Sequence, residues 1–173
     1  IVRLQGATPI AIKLTVPDFA VNWDEVRAAI TPRTRMIIVN TPHNPSGQVF
    51  SAADLHQLAA LTRHTDIIIL SDEVYEHVVF DGEPHHGMAT HPQLAERSVI
   101  ISSFGKTYHV TGWRVGYCVA PAELMDEICK VHQFLMFSAD TPMQYAFAEH
   151  MTDPQTWLSL AAFYQRKRDL LQS

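Results

Sequence analysis

The chain has 173 residues, with 13 Lys and Arg against 18 Asp and Glu, and a formal net charge of −5 with neutral histidines. A hydrophobic fraction of 47% with 18% charged residues suits one globular domain and excludes a disordered or collagen-like chain. The mild acidity speaks against a binder that neutralises nucleic-acid phosphates, no apolar run reaches the ~18 residues of a membrane helix, and two cysteines make no disulfide framework and fit a reducing compartment.

The first segments, Ile1–Gln5 and Ala11–Val16, read as short strands. Asn22 or Asp24 caps a helix over Trp23–Ile30 that stops near Pro32. Met36-Ile-Ile-Val39 is a β-branched run, so a buried strand, ending in the loop Asn40-Thr-Pro-His-Asn-Pro-Ser-Gly47. Ser51 caps the next helix, with Asp54 at its third position and Leu55, Leu58, Ala59 and Leu61 or Thr62 on its apolar face. Ile67–Leu70 is a second strand, ending in Ser71-Asp-Glu-Val-Tyr75. After a loop from Asp81 to Pro92, Ser98–Ile101 is a third, ending in Ser102-Ser-Phe-Gly-Lys106, and Val115–Val119 is a fourth. Pro121 opens a helix to about Phe137, and Thr141–Met151 and Trp157–Leu171 read as further helices. The chain opens on Ile1 and ends inside the helix-like stretch from Phe163, which reads as an internal piece of a longer protein. The missing leader therefore says nothing about export.

Continuous apolar strands separated by crossovers of roughly 30 residues argue for a parallel sheet covered on both faces. Ligands bind beyond the carboxyl ends of such strands. Three strands deliver polar residues there: Asn44 from the first, Asp72 and Tyr75 from the second, Ser103 and Lys106 from the third. Asn44 and Asp72 lie 28 positions apart, Asp72 and Lys106 34, each one crossover. Singly, an Asp at a strand end is a turn or cap, a lone Lys is solvated, and Pro-Ser-Gly is a turn. Their convergence weighs against those readings taken together.

Four motifs, Asn40-Thr-Pro-His-Asn44-Pro-Ser-Gly47, Ser71-Asp72-Glu-Val-Tyr75, Ser103-Phe-Gly-Lys106 and Thr111-Gly-Trp-Arg114-Val-Gly116, stand in that order. With them the chain resembles, almost end to end, the class I/II, fold-type I aminotransferases that use pyridoxal 5′-phosphate. The wording is closest to the branch that acts on methionine and on kynurenine or glutamine. The resemblance implies an α/β three-layer sandwich with a mostly parallel sheet. Residues 1–151 would be part of the cofactor-binding large domain, and residues 152–173 a helix leading toward a small domain. It implies that Lys106 is the catalytic lysine that forms the Schiff base and shuttles the proton. Asp72 would hold the pyridine nitrogen protonated, Asn44 and Tyr75 would hydrogen-bond the 3′ oxygen, and Ser103 and Arg114 would bind phosphate. The substrates would be an amino acid, methionine or another apolar or aromatic one, and a 2-oxo acid. The resemblance further implies a cytoplasmic homodimer with no nucleic-acid or membrane partner. The family's glycine-rich phosphate loop, ring-stacking aromatic and substrate-carboxylate arginine lie outside these residues, so the excised chain is expected to be inactive or nearly so.

Two other readings share these motifs: a carbon–sulfur β-lyase of the same fold, and an aminotransferase-like sensor domain of a transcriptional regulator. The ten histidines offer a distraction. The spacing of His85-His86 and His91 matches no helical i,i+4 pair and no cysteine lies close by, so they read as a solvated loop and no metal is expected. His43 and His109 match no required role. Cys118 and Cys129 read as core, and Tyr108 and Trp113 as packing or pocket wall.

Overall fold

The second strand organises everything else. The structure, a computed structural model, describes residues 1–173. Met36–Asn40 forms β1, Ile68–Asp72 β2, Ser98–Ser103 β3 and Gly116–Val119 β4, in the order β1-β2-β3-β4. β1 pairs parallel with β2 and β2 parallel with β3, so Asn40, Asp72 and Ile101 lie side by side at one end of the sheet. β4 runs antiparallel to β3, with Ser103 opposite Gly116. β4 departs from the parallel reading because residues 104–115, with only a four-residue helix at Phe104–Thr107 and a 3₁₀ turn at Thr111–Trp113, carry no helix across the sheet face. A parallel connection needs a crossover of about a dozen residues or more with a helix on the sheet face.

One face is built by the helix that the capping pattern predicts. α2 spans Ala52–Thr62, after α1 at Trp23–Ala29. Ser51 and Asp54 close a reciprocal capping box, with Ser51 N–H donating to Asp54 Oδ2 at 2.8 Å. Burial alone would raise the Asp54 pKa; hydrogen bonds from Ser51 and Trp23 Nε1 instead hold its carboxyl below the usual range. Leu55, Leu58 and Ala59 pack with Phe50, Ile69, Met88 and Leu94 into the core. Each fully buried Leu of this kind contributes about 1.5–3 kcal/mol. Ile37, Val39 and Ile100 meet that cluster from the same sheet face.

The other face of β1 is open. Met36 is 45% and Ile38 58% exposed, so the strand is half-buried rather than buried throughout. No helix of the chain lies over these two side chains. The expected strands at Ile1–Gln5 and Ala11–Val16 are also absent. Val2–Gln5 is a 3₁₀ turn closed by Gly6 in the left-handed region (φ 78°), and residues 11–15 have no regular structure. Extended apolar segments become strands only when a neighbour satisfies their backbone groups, and no segment of the chain pairs with these.

The connection from β2 to β3 carries a 3₁₀ turn at Met88–Thr90 and the short α3, Pro92–Ala95, with Met88 and Leu94 buried. α4, Phe104–Thr107, follows β3 directly. α5 spans Ala122–Leu135, with Pro121 at its N-cap rather than inside its first turn. α6 spans Thr141–His150, and its Phe147 is buried against Phe104 (ring centroids 4.5 Å apart), Tyr108 and Trp113. The single helix expected over Trp157–Leu171 is two, α7 at Gln155–Leu158 and α8 at Leu160–Gln172, separated at Ser159. Trp157 faces His77 on one side of the break and Leu160 is buried on the other, so separate anchors hold the two pieces. Cys118 is half-buried, 3.9 Å from Met125 Sδ, and Cys129 is exposed on α5, so neither is core. No helix is long and apolar enough to cross a membrane.

Candidate active site

The predicted site residues gather where β1, β2 and β3 end. Asn40, the last residue of β1, makes the first tie. Its Nδ2 donates to the Asp72 carbonyl at 3.0 Å, and its Oδ1 accepts from Asn44 N–H at 2.8 Å. Thr41 N–H also donates to the Asp72 carbonyl, and the buried Thr41 hydroxyl oxygen accepts from Phe50 N–H. Gly47 (φ 76°) turns the loop back, with its N–H on the His43 carbonyl at 2.7 Å. The loop is thereby fixed at both ends, and Asn44 Nδ2 comes within 3.5 Å of Tyr75 Oη.

Asp72 closes β2. Its Oδ1 accepts from Val74 N–H at 3.2 Å, which starts the turn that carries Tyr75. Its Oδ2 makes no hydrogen bond within the chain, so this half-buried carboxylate keeps an acceptor for a ligand. Glu73 is 3% exposed. Its carboxylate accepts from Ser71 Oγ at 2.8 Å, Met88 N–H at 3.0 Å and His85 Nε2 at 2.9 Å. His85 is therefore not a solvated loop residue: it is the partner of a buried acid.

Ser103 caps the turn that holds the lysine. Its Oγ accepts from Gly105 N–H at 3.1 Å, and Lys106 follows in α4. Phe104 is clamped by the rings of Phe147, Tyr108 and Tyr117. Gly105 is required by proximity, because a Cβ there would lie 2.9 Å from Thr111 Cα. Lys106 projects from this rigid base with its Nζ 5.9 Å from the centre of the Tyr75 ring. Arg114 adopts the left-handed conformation (φ 56°, ψ 37°), a strained state for a non-glycine residue that turns the chain into β4. Its guanidinium folds back onto the Thr111 carbonyl at 3.1 Å.

The structure thus brings Asn44, Tyr75 and Lys106 together, with Asp72 between their strands. Ser103 and Arg114 sit on the two arms of one return, Arg114 two residues before the partner of Ser103. Arg114 makes no hydrogen bond with the other five. His43 is held by Ser46 Oγ at 2.7 Å, and exposed His109 by Tyr164 Oη at 2.7 Å.

A model of the family described as aminotransferase class I and II matches residues 1–173. The chain belongs to that family. It is 48% identical to the methionine aminotransferase of Escherichia coli (strain K12) over 171 residues, 98% of this chain and 44% of that protein. It is 43% identical to a kynurenine–oxoglutarate transaminase of Dictyostelium discoideum over 164 residues, 92% of this chain and 38% of that protein. The crystal structure of YbdL from Escherichia coli, reported as a methionine aminotransferase, superposes with a TM-score of 0.95 at 49% identity over 97% of this chain and 45% of that one. N-succinyldiaminopimelate aminotransferase from Mycobacterium tuberculosis gives 0.93 at 36% identity over 99% and 45%. The chain spans less than half the length of these aminotransferases. The fold is that of fold-type I aminotransferases, with an α/β, mostly parallel sheet.

Aminotransferases of this class depend on pyridoxal 5′-phosphate, and the donor set fits that group. An acceptor oxygen without a partner on Asp72, two polar groups converging from Asn44 and Tyr75, and an amine above the Tyr75 ring match its ring nitrogen, its ring oxygen and its aldehyde. The sequence missed the supports Asn40 and Glu73. Glu73 stands two residues before Tyr75, but an acid in a loop carries no sign of burial.

Proposed function

We propose that the full-length protein transfers the amino group of methionine, or another apolar or aromatic amino acid, to a 2-oxo acid. The convergence of Asn44 Nδ2, Tyr75 Oη and Lys106 Nζ at one sheet end carries this reading. The names of the relatives support methionine and kynurenine as the substrate class. Pyridoxal phosphate, when bound, supplies an aldehyde carbon and a ring that draws electrons from the substrate Cα. Lys106 Nζ would hold the cofactor at its aldehyde carbon and, as a free amine, would take and return the substrate Cα proton. An ionised Asp72 carboxylate would hold a proton on the ring nitrogen. Asn44 and Tyr75 would donate to the ring oxygen, and Ser103 and Arg114 would bind the phosphate. In this reading residues 1–151 belong to the large domain, residues 152–173 lead toward a small domain, and the working unit is a homodimer in the cytoplasm. The two free cysteines accord with a reducing compartment.

The test is borohydride reduction of the full-length protein with bound cofactor, digestion and mass spectrometry of the lysines. A phosphopyridoxyl group on Lys106 is the expected result. No uptake, or modification of Lys13, Lys130 or Lys167 instead, would overturn the reading. Turnover of methionine that depends on an added 2-oxo acid would identify transfer rather than elimination.

A further inference from the structure

Beyond Asp72 and Ile101 the backbone ladder between β2 and β3 stops. Its last bond runs from Glu73 N–H to the Ile101 carbonyl at 2.9 Å. From there the segment with Tyr75 and the segment with Ser103 and Lys106 diverge, and no backbone hydrogen bond joins residues 74–80 to residues 102–119. One side chain does. Glu76 Oε1 accepts from Ser102 Oγ at 3.0 Å and from Tyr117 Oη at 2.8 Å. Ser102 and Tyr117 face each other across β3 and β4, so a single carboxylate oxygen ties three segments together.

The environment makes this tie firm. The Glu76 side chain is 24% exposed, with His77 Nε2 3.9 Å away. Burial, with the Glu76 carboxylate beside it, pushes the Tyr117 phenol up to about 12, so it stays a donor throughout the neutral range. Hydrogen bonds to a charged acceptor are shorter and roughly twice as strong as neutral ones. Tyr117 also packs on Phe104, which precedes Gly105 and Lys106.

We propose that Glu76 is a positioning residue that sets the separation between the Tyr75 hydroxyl and the Lys106 amine. Its carboxylate hydrogen-bonds to neither residue. It follows Tyr75 in the chain, and its partner Ser102 precedes Ser103, the cap of the lysine turn. The inference rests on the roles proposed above for Tyr75 and Lys106.

Two variants of the full-length protein test it: Glu76→Ala, which removes the acceptor, and Glu76→Gln, which keeps an acceptor oxygen. With cofactor bound, E76A is expected to lower kcat roughly 10–100-fold with the amino-acid KM within about threefold. It should also shift the pH midpoint of the bound cofactor's visible absorption change. E76Q should restore most of both. In the cofactor-free full-length protein, hydrogen exchange over residues 103–108 should quicken about tenfold in E76A while β1 stays unchanged. E76A indistinguishable from the parent in rate, spectrum and exchange overturns the proposal, as does E76Q impaired as deeply as E76A. If E76A does not fold, Ser102→Ala and Tyr117→Phe each remove one donor; silence in both overturns the tie. The exchange measurement needs no cofactor, so it still reads the tie if Lys106 takes up no phosphopyridoxyl group.

Discussion

Replacing Gly105 by alanine tests how tightly the lysine turn is seated. The new Cβ would stand 2.9 Å from Thr111 Cα and 3.2 Å from Ser103 Oγ. Non-bonded carbons rest at about 3.5–4.0 Å, so one side must retreat by roughly 0.6–1 Å. Thr111 Cα is backbone, at the start of a 3₁₀ turn, and cannot rotate aside. The displacement therefore falls on α4, where Lys106 is the next residue. Overpacking of this kind costs about 1–3 kcal/mol of stability. A misplacement near 1 Å costs roughly 10–100-fold in rate. Urea unfolding of the cofactor-free full-length protein and a steady-state transamination assay read the two effects. Gly112→Ala is the stability control, because its Cβ meets nothing within 4 Å, and should stay within about 0.5 kcal/mol of the parent. A G105A protein with parental stability and parental kcat would refute the steric reasoning.

Glu73→Ala leaves three donors around a buried hole and is expected to cost about 3–5 kcal/mol in urea unfolding, whereas Glu73→Gln, which keeps an acceptor for Ser71 and Met88, should cost less than half of that; equal losses would count against the network. Asp81 is gripped by Arg168 at 2.5 and 2.7 Å, and those hydrogen bonds hold its carboxyl below the ordinary 3.8. A lowered carboxylate contributes stability above its unfolded value and loses it as pH falls through the folded one. Asp81→Asn should therefore flatten the stability profile below about pH 4, and an unchanged acid limb would sink that assignment. The excised 173 residues should show no measurable transamination beside the full-length protein, and equal turnover would show that the site is complete without the rest.

The parts of the fold written in local chemistry were legible. Asn22 accepts from Asp24 N–H and Glu25 N–H, and Ser51 with Asp54 closes its box, as the capping patterns require. The runs at Met36, Ile68 and Ser98 became strands because each has a paired neighbour. Ile1–Gln5 and Ala11–Val16 have the same apolar character and no such neighbour, a non-local fact that composition does not carry. The antiparallel direction of β4 followed from a connection without a crossover helix, which the apolar pattern of the strands does not report. At the site, Asn44, Asp72, Tyr75 and Lys106 were readable from motif order, and the structure gathers them. The supports Asn40, Glu73 and Glu76 were not, because their partners lie up to 41 positions away.

The short antiparallel return from Ser103 to Gly116 also bears on how the site comes together as the chain folds. β3, the lysine turn and β4 are neighbours in sequence, so little loop entropy opposes their pairing. β1 and β2 meet only when a span of about 30 residues closes, and so do β2 and β3. Lys106, Ser103 and Arg114 can thus be arranged early, as one local unit. The Asn44 and Tyr75 side waits for slower long-range closure against it. Under the roles proposed above, cofactor added during refolding would meet the Lys106 amine before the Asn44 and Tyr75 side has closed against it.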